Sequence, residues 1–287
     1  MKLIAVVLNW NGGPDTLAAL RSLEGLDAIC VDNGSTDGSD RQIAQELPDV
    51  ELLRTGANLG YAGGNNAGVE LALGRGADWV LLLNSDAVAE PGLADALERA
   101  ATTRPDAGLL ACTILNPDGT TQYAGASFNA RLGYSGRVST RRSAALREVG
   151  RADGAAFAVS RAALERAGRL DESLFLYVED VEWSLRIRAA GFAVVLVPDA
   201  LVRHKGSAAS GGRASTTNLY YDTRNTIVVS ERHAPLPPGA RSLRRGVVVG
   251  AHLVQALRHP STVAAARAVL AGWRDARAGR FGQRSSP

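Results

Sequence analysis

The chain has 287 residues, 46% of them apolar and 21% charged. That is ordinary globular usage, enough for one large domain or two fused halves around a substantial core. A formal net charge of +3 is too small to argue for nucleic acid and is compatible with a polyanionic ligand.

Met1-Lys2 leads straight into the apolar run Leu3 to Leu8, which meets Asn9, Trp10 and Asn11 too soon for a signal peptide. No run approaches the length of a membrane span, so a soluble, cytoplasmic product is expected. Leu3 to Leu8 reads as a strand buried on both faces. Pro14 to Leu23 reads as a helix, with Leu17, Leu20 and Leu23 on one face. Ala28 to Val31 is the next strand, and it runs into Asp32-Asn-Gly-Ser-Thr-Asp37, a turn before the helix Gly38 to Leu47. Val50 to Leu53 is a third strand. Asn58-Leu-Gly-Tyr-Ala-Gly-Gly-Asn-Asn66 opens a helix ending near Leu73, and Trp79 to Leu83 is another buried strand. Repeated β-α units predict a mostly parallel sheet with helices on both faces. Cys30 and Cys112 lie in apolar runs and read as small buried hydrophobes in a reducing compartment, not as a disulfide or a zinc site.

Beyond Asp106 the pattern changes. Strands are expected at Leu109 to Leu115 and Ala155 to Val159, flanking a Gly-, Ser- and Arg-rich stretch from Gly133 to Arg151 that reads as a loop. Val178 to Ala190 is helical, Ala193 to Val197 a strand, and Thr216 to Arg232 a helix. Pro235-Leu-Pro-Pro-Gly239 is a linker before two further helices, Leu243 to Leu257 and Val263 to Arg277. The chain divides on this reading into residues 1–108, 109–234 and a basic helical segment 235–287.

Ligands of open parallel sheets bind beyond the carboxyl ends of the strands. Three polar clusters fall there: Asn9-Trp10-Asn11, Asp32-Asn33-Gly34 and Asn84-Ser85-Asp86. Asp32 can accept a hydrogen bond from a pyrimidine ring N–H, whereas Asp37 reads as a helix cap. Asp86 follows a buried strand without a partner in it. A divalent cation on a diphosphate resolves that, and a helix cap before Glu90-Pro91-Gly92 is the plainer alternative. Glu179, Asp180 and Glu182 cluster at a helix start, either to deprotonate an acceptor hydroxyl or only to serve the helix dipole. His204, between Arg203 and Lys205, suits a metal and diphosphate site or a structural role. Arg224 is a candidate phosphate clamp, or a surface arginine beside Asp222.

In chain order these segments resemble glycosyltransferase family 2, inverting enzymes of GT-A fold, and the rhamnosyltransferase-like and galactofuranosyltransferase-like members in particular. The matching pieces are Val6-Val-Leu-Asn-Trp-Asn11, Val31-Asp-Asn-Gly-Ser-Thr-Asp37, Asn58-Leu-Gly-Tyr-Ala-Gly-Gly-Asn-Asn-Ala-Gly68, Leu82-Leu-Asn-Ser-Asp86, Asp153-Gly-Ala155, Glu179-Asp-Val-Glu182, His204 and Tyr220 to Asn225. The resemblance implies a nucleoside diphosphate sugar donor, UDP- or dTDP-linked, and a Mn2+ or Mg2+ ion. Asp32 would contact the base with Trp10 near it, Asp86 would hold the metal with His204 completing its shell, and Asp180 would be the general base. Asn9, Asn11, Asn58, Gly60, Asn65, Asn84, Ser85 and Arg224 fall to the donor side. Asp153, Gly154, Glu179 and Trp183 fall to the acceptor side, with other acceptor contacts expected from Gly125 to Arg151. Two departures stand out: Asn84-Ser85-Asp86 replaces the usual Asp-x-Asp, and Trp10 replaces the commoner tyrosine.

The acceptor is left open as a glycan, a lipid-linked molecule or a small molecule. Two other readings compete: a sugar-nucleotide-binding protein without catalysis, and a nucleotidyltransferase. Against the latter, Asn9-Trp-Asn-Gly-Gly-Pro14 lacks a basic residue after the first strand. The arginine-rich tail reads as packing on the catalytic domain or forming a homodimer, with a peripheral anionic-membrane contact as the alternative.

Overall fold

The computed structural model describes residues 1–136, 138–140, 144–206 and 215–284. The first half runs β1 (Leu3–Asn9), α1 (Gly13–Arg21), β2 (Asp27–Asp32), α2 (Ser39–Glu46), β3 (Glu51–Arg54), α3 (Gly60–Gly74) and β4 (Trp79–Asn84). Then come β5 (Ala87–Ala89), α4 (Leu93–Thr103), β6 (Ala107–Leu115), β7 (Thr121–Tyr123), β8 (Phe128–Asn129), β9 (Tyr134–Ser135), β10 (Arg147–Glu148) and β11 (Ala156–Ser160). The chain continues through α5 (Arg161–Ala167), a 3-10 turn (Glu172–Leu174), α6 (Glu179–Ala189), β12 (Ala193–His204), α7 (Thr216–His233), α8 (Pro238–Ala256) and α9 (Thr262–Ala278).

One sheet carries the order β10-β12-β6-β11-β4-β1-β2-β3. The pairs β4–β1, β1–β2, β2–β3 and β6–β12 are parallel. β11 is antiparallel to both of its neighbours, β4 and β6. The carboxyl ends of β1, β2, β4 and β6 therefore share one edge with the amino end of β11. The expected division at residue 108 falls inside β6, so the sheet is continuous across it. Continuous apolar runs built these central strands, and side chains from Ile4 to Val7 and from Val80 to Leu82 are fully buried.

The glycines of α3 explain how that helix lies so close to the sheet. A β-carbon on Gly64 would strike Leu8, and one on Gly68 would strike Val6 and come within 2.9 Å of Val31 Cγ2. With Gly60 they form a ladder of period four, one stripe of the helix face. Gly60 itself has φ +75°, and a β-carbon there would run into the carbonyl and ring of Phe175.

Several boundaries differ from the sequence reading. β12 runs on past Val197 to His204, with an irregularity between Val197 and Leu201 where it leaves one register for another. Its last residues pair with β5, setting His204 opposite Ala87. Apolar continuity ends at Pro198-Asp199, which is why the strand's second half was not apparent. The stretch from Gly133 to Arg151, expected as a loop, contains β9 and β10; its residues 137 and 141–143 lie outside the described residues. α8 begins at Pro238, inside the expected linker, because proline fits the first turn of a helix. Cys30 and Cys112 are buried, and burial pushes both thiols up to about 12.

Candidate active site

Asn9 ties the ends of β1 and β2 together. Its side chain is fully buried and donates from Nδ2 to Asp32 Oδ1 (2.9 Å), Ser35 Oγ (3.1 Å) and Ser39 Oγ (2.9 Å). Its Oδ1 accepts from Gly12 N–H (3.1 Å) and Thr16 Oγ1 (2.7 Å). Asn9 is therefore a buried knot and not a donor contact, which corrects the expectation for it. Asp32, 4% exposed, also accepts from Ser35 N–H (3.3 Å). Next to it Asn33 donates to Asn58 Oδ1 (3.3 Å) and Gly60 O (3.0 Å) and accepts from Leu59 N–H (3.0 Å). This residue fixes Asn58 and Gly60 at the mouth of α3. Asn65 is buried and spends its amide on Tyr61 O (2.9 Å), so it serves α3 and does not line the crevice. Trp10, in contrast, is 40% exposed at the rim, and Asn11 accepts from Thr36 N–H (2.8 Å). Asp37, expected as the cap of α2, lies one residue too early: Gly38 occupies that position, and Asp37 accepts from Ser39 N–H (3.0 Å).

Asp86 and His204 meet where β5 pairs with β12. His204 Nε2 lies 3.2 Å from Asp86 Oδ1, and both side chains are nearly buried. The other ring nitrogen, Nδ1, is 2.9 Å from Gln122 Oε1 on β7. Gln122 Oε1 can only accept, so Nδ1 carries the proton and Nε2 presents its lone pair toward Asp86 when the ring is neutral. Two oxygen or nitrogen ligands on adjacent octahedral positions of a small divalent cation stand about 3 Å apart. The pair fits such a cation by spacing and by chemistry. Among the described residues no group of three or more His, Cys, Asp or Glu side chains is arranged to hold a metal ion. Arg203 and Lys205 are paired instead with Glu90 (2.5 Å) and Asp15 (2.5 Å). Asn84 and Ser85 are half-buried at the end of β4, with Ser85 beside Gly12.

Asp180 stands at the start of α6. Its Oδ2 accepts from Gly154 N–H (2.9 Å) and lies 3.6 Å from Arg151 Nη1. Its Oδ1 accepts from Val181 N–H (2.8 Å). Burial raises its pKa, Arg151 opposes that, and the negative charge of Asp153 adds to it. Glu179 is buried beside it with Oε2 unpartnered, and burial together with Asp180 raises its pKa too. The Gly154 carbonyl accepts from Tyr61 OH (2.7 Å), so α3 and the Asp180 anchor are joined through one residue. Asn84 N–H donates to Ala155 O (3.0 Å). The turn carrying Gly154 is thus bonded to the strand end that leads to Asp86. Asp153, half-buried, accepts from Ala155 N–H (3.1 Å).

Two expectations are corrected here. Arg224 is 1% exposed and donates to Asn225 Oδ1 (2.8 Å), Gly282 O (2.7 Å) and Leu174 O (2.7 Å). With Asn225, which donates to Leu174, Leu176 and Tyr177 carbonyls, it braces the segment before Asp180. Buried and committed to these carbonyls, Arg224 is not placed to clamp a phosphate. Trp183 is fully buried, edge-on to Phe157, with its indole N–H on Gly168 O (2.8 Å). It is core and does not face an acceptor. Glu182 is likewise internal: burial raises it, but hydrogen bonds from His233 and Arg186 outweigh that and hold its pKa below the usual range. Sequence reasoning missed Arg151, Gln122 and Tyr61. Arg151 could have been found by its closeness to Asp153-Gly154, and Tyr61 by its place in the Asn58 to Gly68 motif; nothing in the sequence marks Gln122.

The geometry invites comparison with known proteins. The crystal structure of GalNAc-T7 with UDP, GalNAc and Mn2+ superposes with a TM-score of 0.62 at 16% identity, over 86% of this chain and 54% of that one. This chain thus spans about half the length of that protein. The mannosyltransferase of Pyrobaculum calidifontis in complex with GDP-Man and Mn2+ gives 0.57 at 19% identity, over 97% and 83%. The architecture is the GT-A fold. The Glycosyl transferase family 2 model matches residues 7–168. The N-acetylglucosaminyl-diphospho-decaprenol L-rhamnosyltransferase of Mycobacterium tuberculosis is 33% identical, over 88% of this chain and 92% of that protein. The chain belongs to glycosyl transferase family 2.

Proposed function

We propose that this glycosyltransferase moves a sugar, with inversion, from a nucleoside diphosphate donor to a hydroxyl of a lipid-diphosphate-linked acceptor. L-Rhamnose is the first sugar to test, because the mycobacterial relative is named for its transfer to a decaprenol-linked acceptor. The observation that carries the reading is the meeting of two anchors on one sheet edge. Asp86 sits against His204, and Asp180 sits on the Gly154 amide, whose neighbour Ala155 is bonded to Asn84. A diphosphate at the first anchor puts the anomeric carbon between it and the second.

The acceptor oxygen attacks the anomeric carbon as its proton passes to the Asp180 carboxylate. The bond from that carbon to the diphosphate oxygen breaks, and the nucleoside diphosphate leaves with the electron pair. The raised pKa of Asp180 makes it a better proton acceptor than an exposed aspartate, and the Arg151 charge limits that rise. A divalent cation held by Asp86 and His204, Mn2+ or Mg2+, would neutralise the charge arising on the leaving group. Asp32 and Trp10 hold the base and ribose end, with Asn11, Asn58 and Ser85 along the donor side. Asp153 and Gly154 face the acceptor.

The deciding experiment is a panel of sugar nucleotides, with and without Mn2+, read by nucleoside diphosphate release and by the anomeric configuration of the product. Release of nucleoside diphosphate with inverted product supports the reading. Pyrophosphate release would instead mark a nucleotidyltransferase, and retained configuration would remove the single displacement.

A further inference from the structure

Of the last two helices, α8 carries an apolar stripe on its exposed face. A helix on the surface of a water-soluble domain turns its apolar stripe inward and its charges outward. α8 buries Val248 and Ala256 and packs Val249 and Leu253 inward, but it also keeps a second apolar stripe on its outer face. Every exposed residue between Pro238 and Ala256 is uncharged, and Leu243, Val247 and Val254 are each more than half exposed, as are Leu257 and Val263 just beyond. The spacing 243, 247, 250, 254, 257 keeps them on one stripe. Arg241 is half-buried, and the other charged or titratable groups of α8 are spent on the fold. Arg244 donates to the carbonyls of Ala130 (3.0 Å) and Ala234 (2.7 Å), Arg245 pairs with Glu231 (2.6 Å), and His252 pairs with Asp222 (3.3 Å).

α9 supplies the other half of the pattern. Its exposed ridge interleaves Val263 and Leu270 with Arg267, Arg274 and Arg277. From Pro238 to Arg284 the one acidic residue is Asp275, and it is engaged by Tyr220 OH (2.6 Å) and Arg280 (3.5 Å). An uncharged apolar stripe beside a row of uncompensated arginines matches a bilayer with anionic headgroups: aliphatic groups enter the acyl boundary and guanidinium groups meet phosphates. A second copy of the chain would set these arginines against their like.

The surface extends toward the site. The β8–β9 hairpin abuts α8 at its tip, where a β-carbon on Gly133 would come within 2.7 Å of Val248 Cγ2. Leu132 and Tyr134, on either side of that glycine, are more than half exposed. At the hairpin's base Phe128 packs on the cluster of Leu174, Val178 and Val181, which surrounds Asp180 in sequence.

We propose that the α8–α9 pair and the tip of the β8–β9 hairpin form a docking surface for an anionic bilayer, presenting the acceptor side of the crevice to the membrane. Its purpose rests on the lipid-linked acceptor proposed above; the binding itself does not require any transfer activity.

The test is flotation of the full-length protein with vesicles of phosphatidylglycerol and phosphatidylcholine, against vesicles of phosphatidylcholine alone, without donor or acceptor. Binding to the anionic vesicles, weakened by salt, is expected. The pair Val247→Glu with Val254→Glu should abolish it. Arg267→Glu should weaken it by roughly fivefold or more, since one arginine near an anionic surface contributes about that factor. All three positions are exposed, so circular dichroism and Tm should match the parent. Unchanged flotation in the Val247→Glu, Val254→Glu protein, or no flotation of the parent, would overturn the proposal. So would a dimer that this same pair of substitutions dissociates while vesicles go unbound; that result gives the stripe to a second copy. Nucleoside diphosphate release measured in parallel with a soluble acceptor separates a failure of docking from a failure of the transfer reading.

Discussion

Asp32 and Asp180 are both aspartates at the same sheet edge, and their surroundings are opposite. Asp32 is ringed by neutral donors: Asn9 Nδ2 takes one oxygen and the Ser35 amide the other. Asp180 also accepts backbone amides, from Gly154 and Val181, but it shares its neighbourhood with Glu179 and Asp153. The first arrangement fixes an acceptor in place for recognition. The second crowds negative charge into a buried site and makes one carboxylate a stronger base, with Arg151 as the counterweight. On the proposed mechanism, one edge of one sheet holds a recognising carboxylate and a reacting one, told apart by what surrounds them.

The strongest test of that contrast is Asp180→Asn. Turnover should fall about 10³-fold, equivalent to about 4 kcal/mol of barrier, while the donor dissociation constant stays unchanged. Steady-state kinetics with donor titration decides it, and undiminished turnover would break the distinction. On the recognition side, Asn9→Ala strips the buried knot and leaves Asp32 and Thr16 short of partners. Stability should drop by about 3 kcal/mol in urea unfolding. A fold that loses nothing would mean that Asp32 needs no such frame. Gln122→Leu removes the partner of His204 Nδ1 and a hydrogen bond to Asn116 Oδ1 (3.1 Å). Metal activation should weaken by roughly tenfold or more, seen as a rise in the Mn2+ concentration giving half-maximal rate. The finest probe is Arg151→Gln. The acid limb of the rate profile should already lie above the ordinary carboxylate range, because burial raises Asp180. Activity is present when Asp180 is ionised and is lost as pH falls through its pKa. Removing the positive charge raises that pKa further, so the limb should move to higher pH. A move to lower pH would contradict the assigned balance.

Much of the first half was legible because its strands are unbroken apolar runs, and parallel strands need no alternation. Asp32, Asp86 and Asn58 sat at strand ends that those runs defined. The second half was harder for identifiable reasons. β12 crosses Pro198-Asp199 and changes register, so hydrophobicity alone ends it early and leaves His204 without its strand. Gln122 and Tyr61 act across more than 80 residues of chain, on His204 and Gly154, and no local pattern encodes such reach. Arg224 and Trp183 misled because polar and aromatic residues beside a motif are read as ligand contacts. The structure uses the first to satisfy loop carbonyls and the second to fill the core.

The glycine ladder of α3 limits where this scaffold can be re-engineered. Gly60, Gly64 and Gly68 leave no room for even a methyl group against Phe175, Leu8 and Val6. Attempts to retarget the catalyst by mutagenic libraries through that helix should return mostly misfolded clones. Grafts onto the exposed rim at Trp10 leave this seam untouched, and so do exchanges at the tip of the β8–β9 hairpin. Those are the places where new specificity can be written without unseating the machinery beneath.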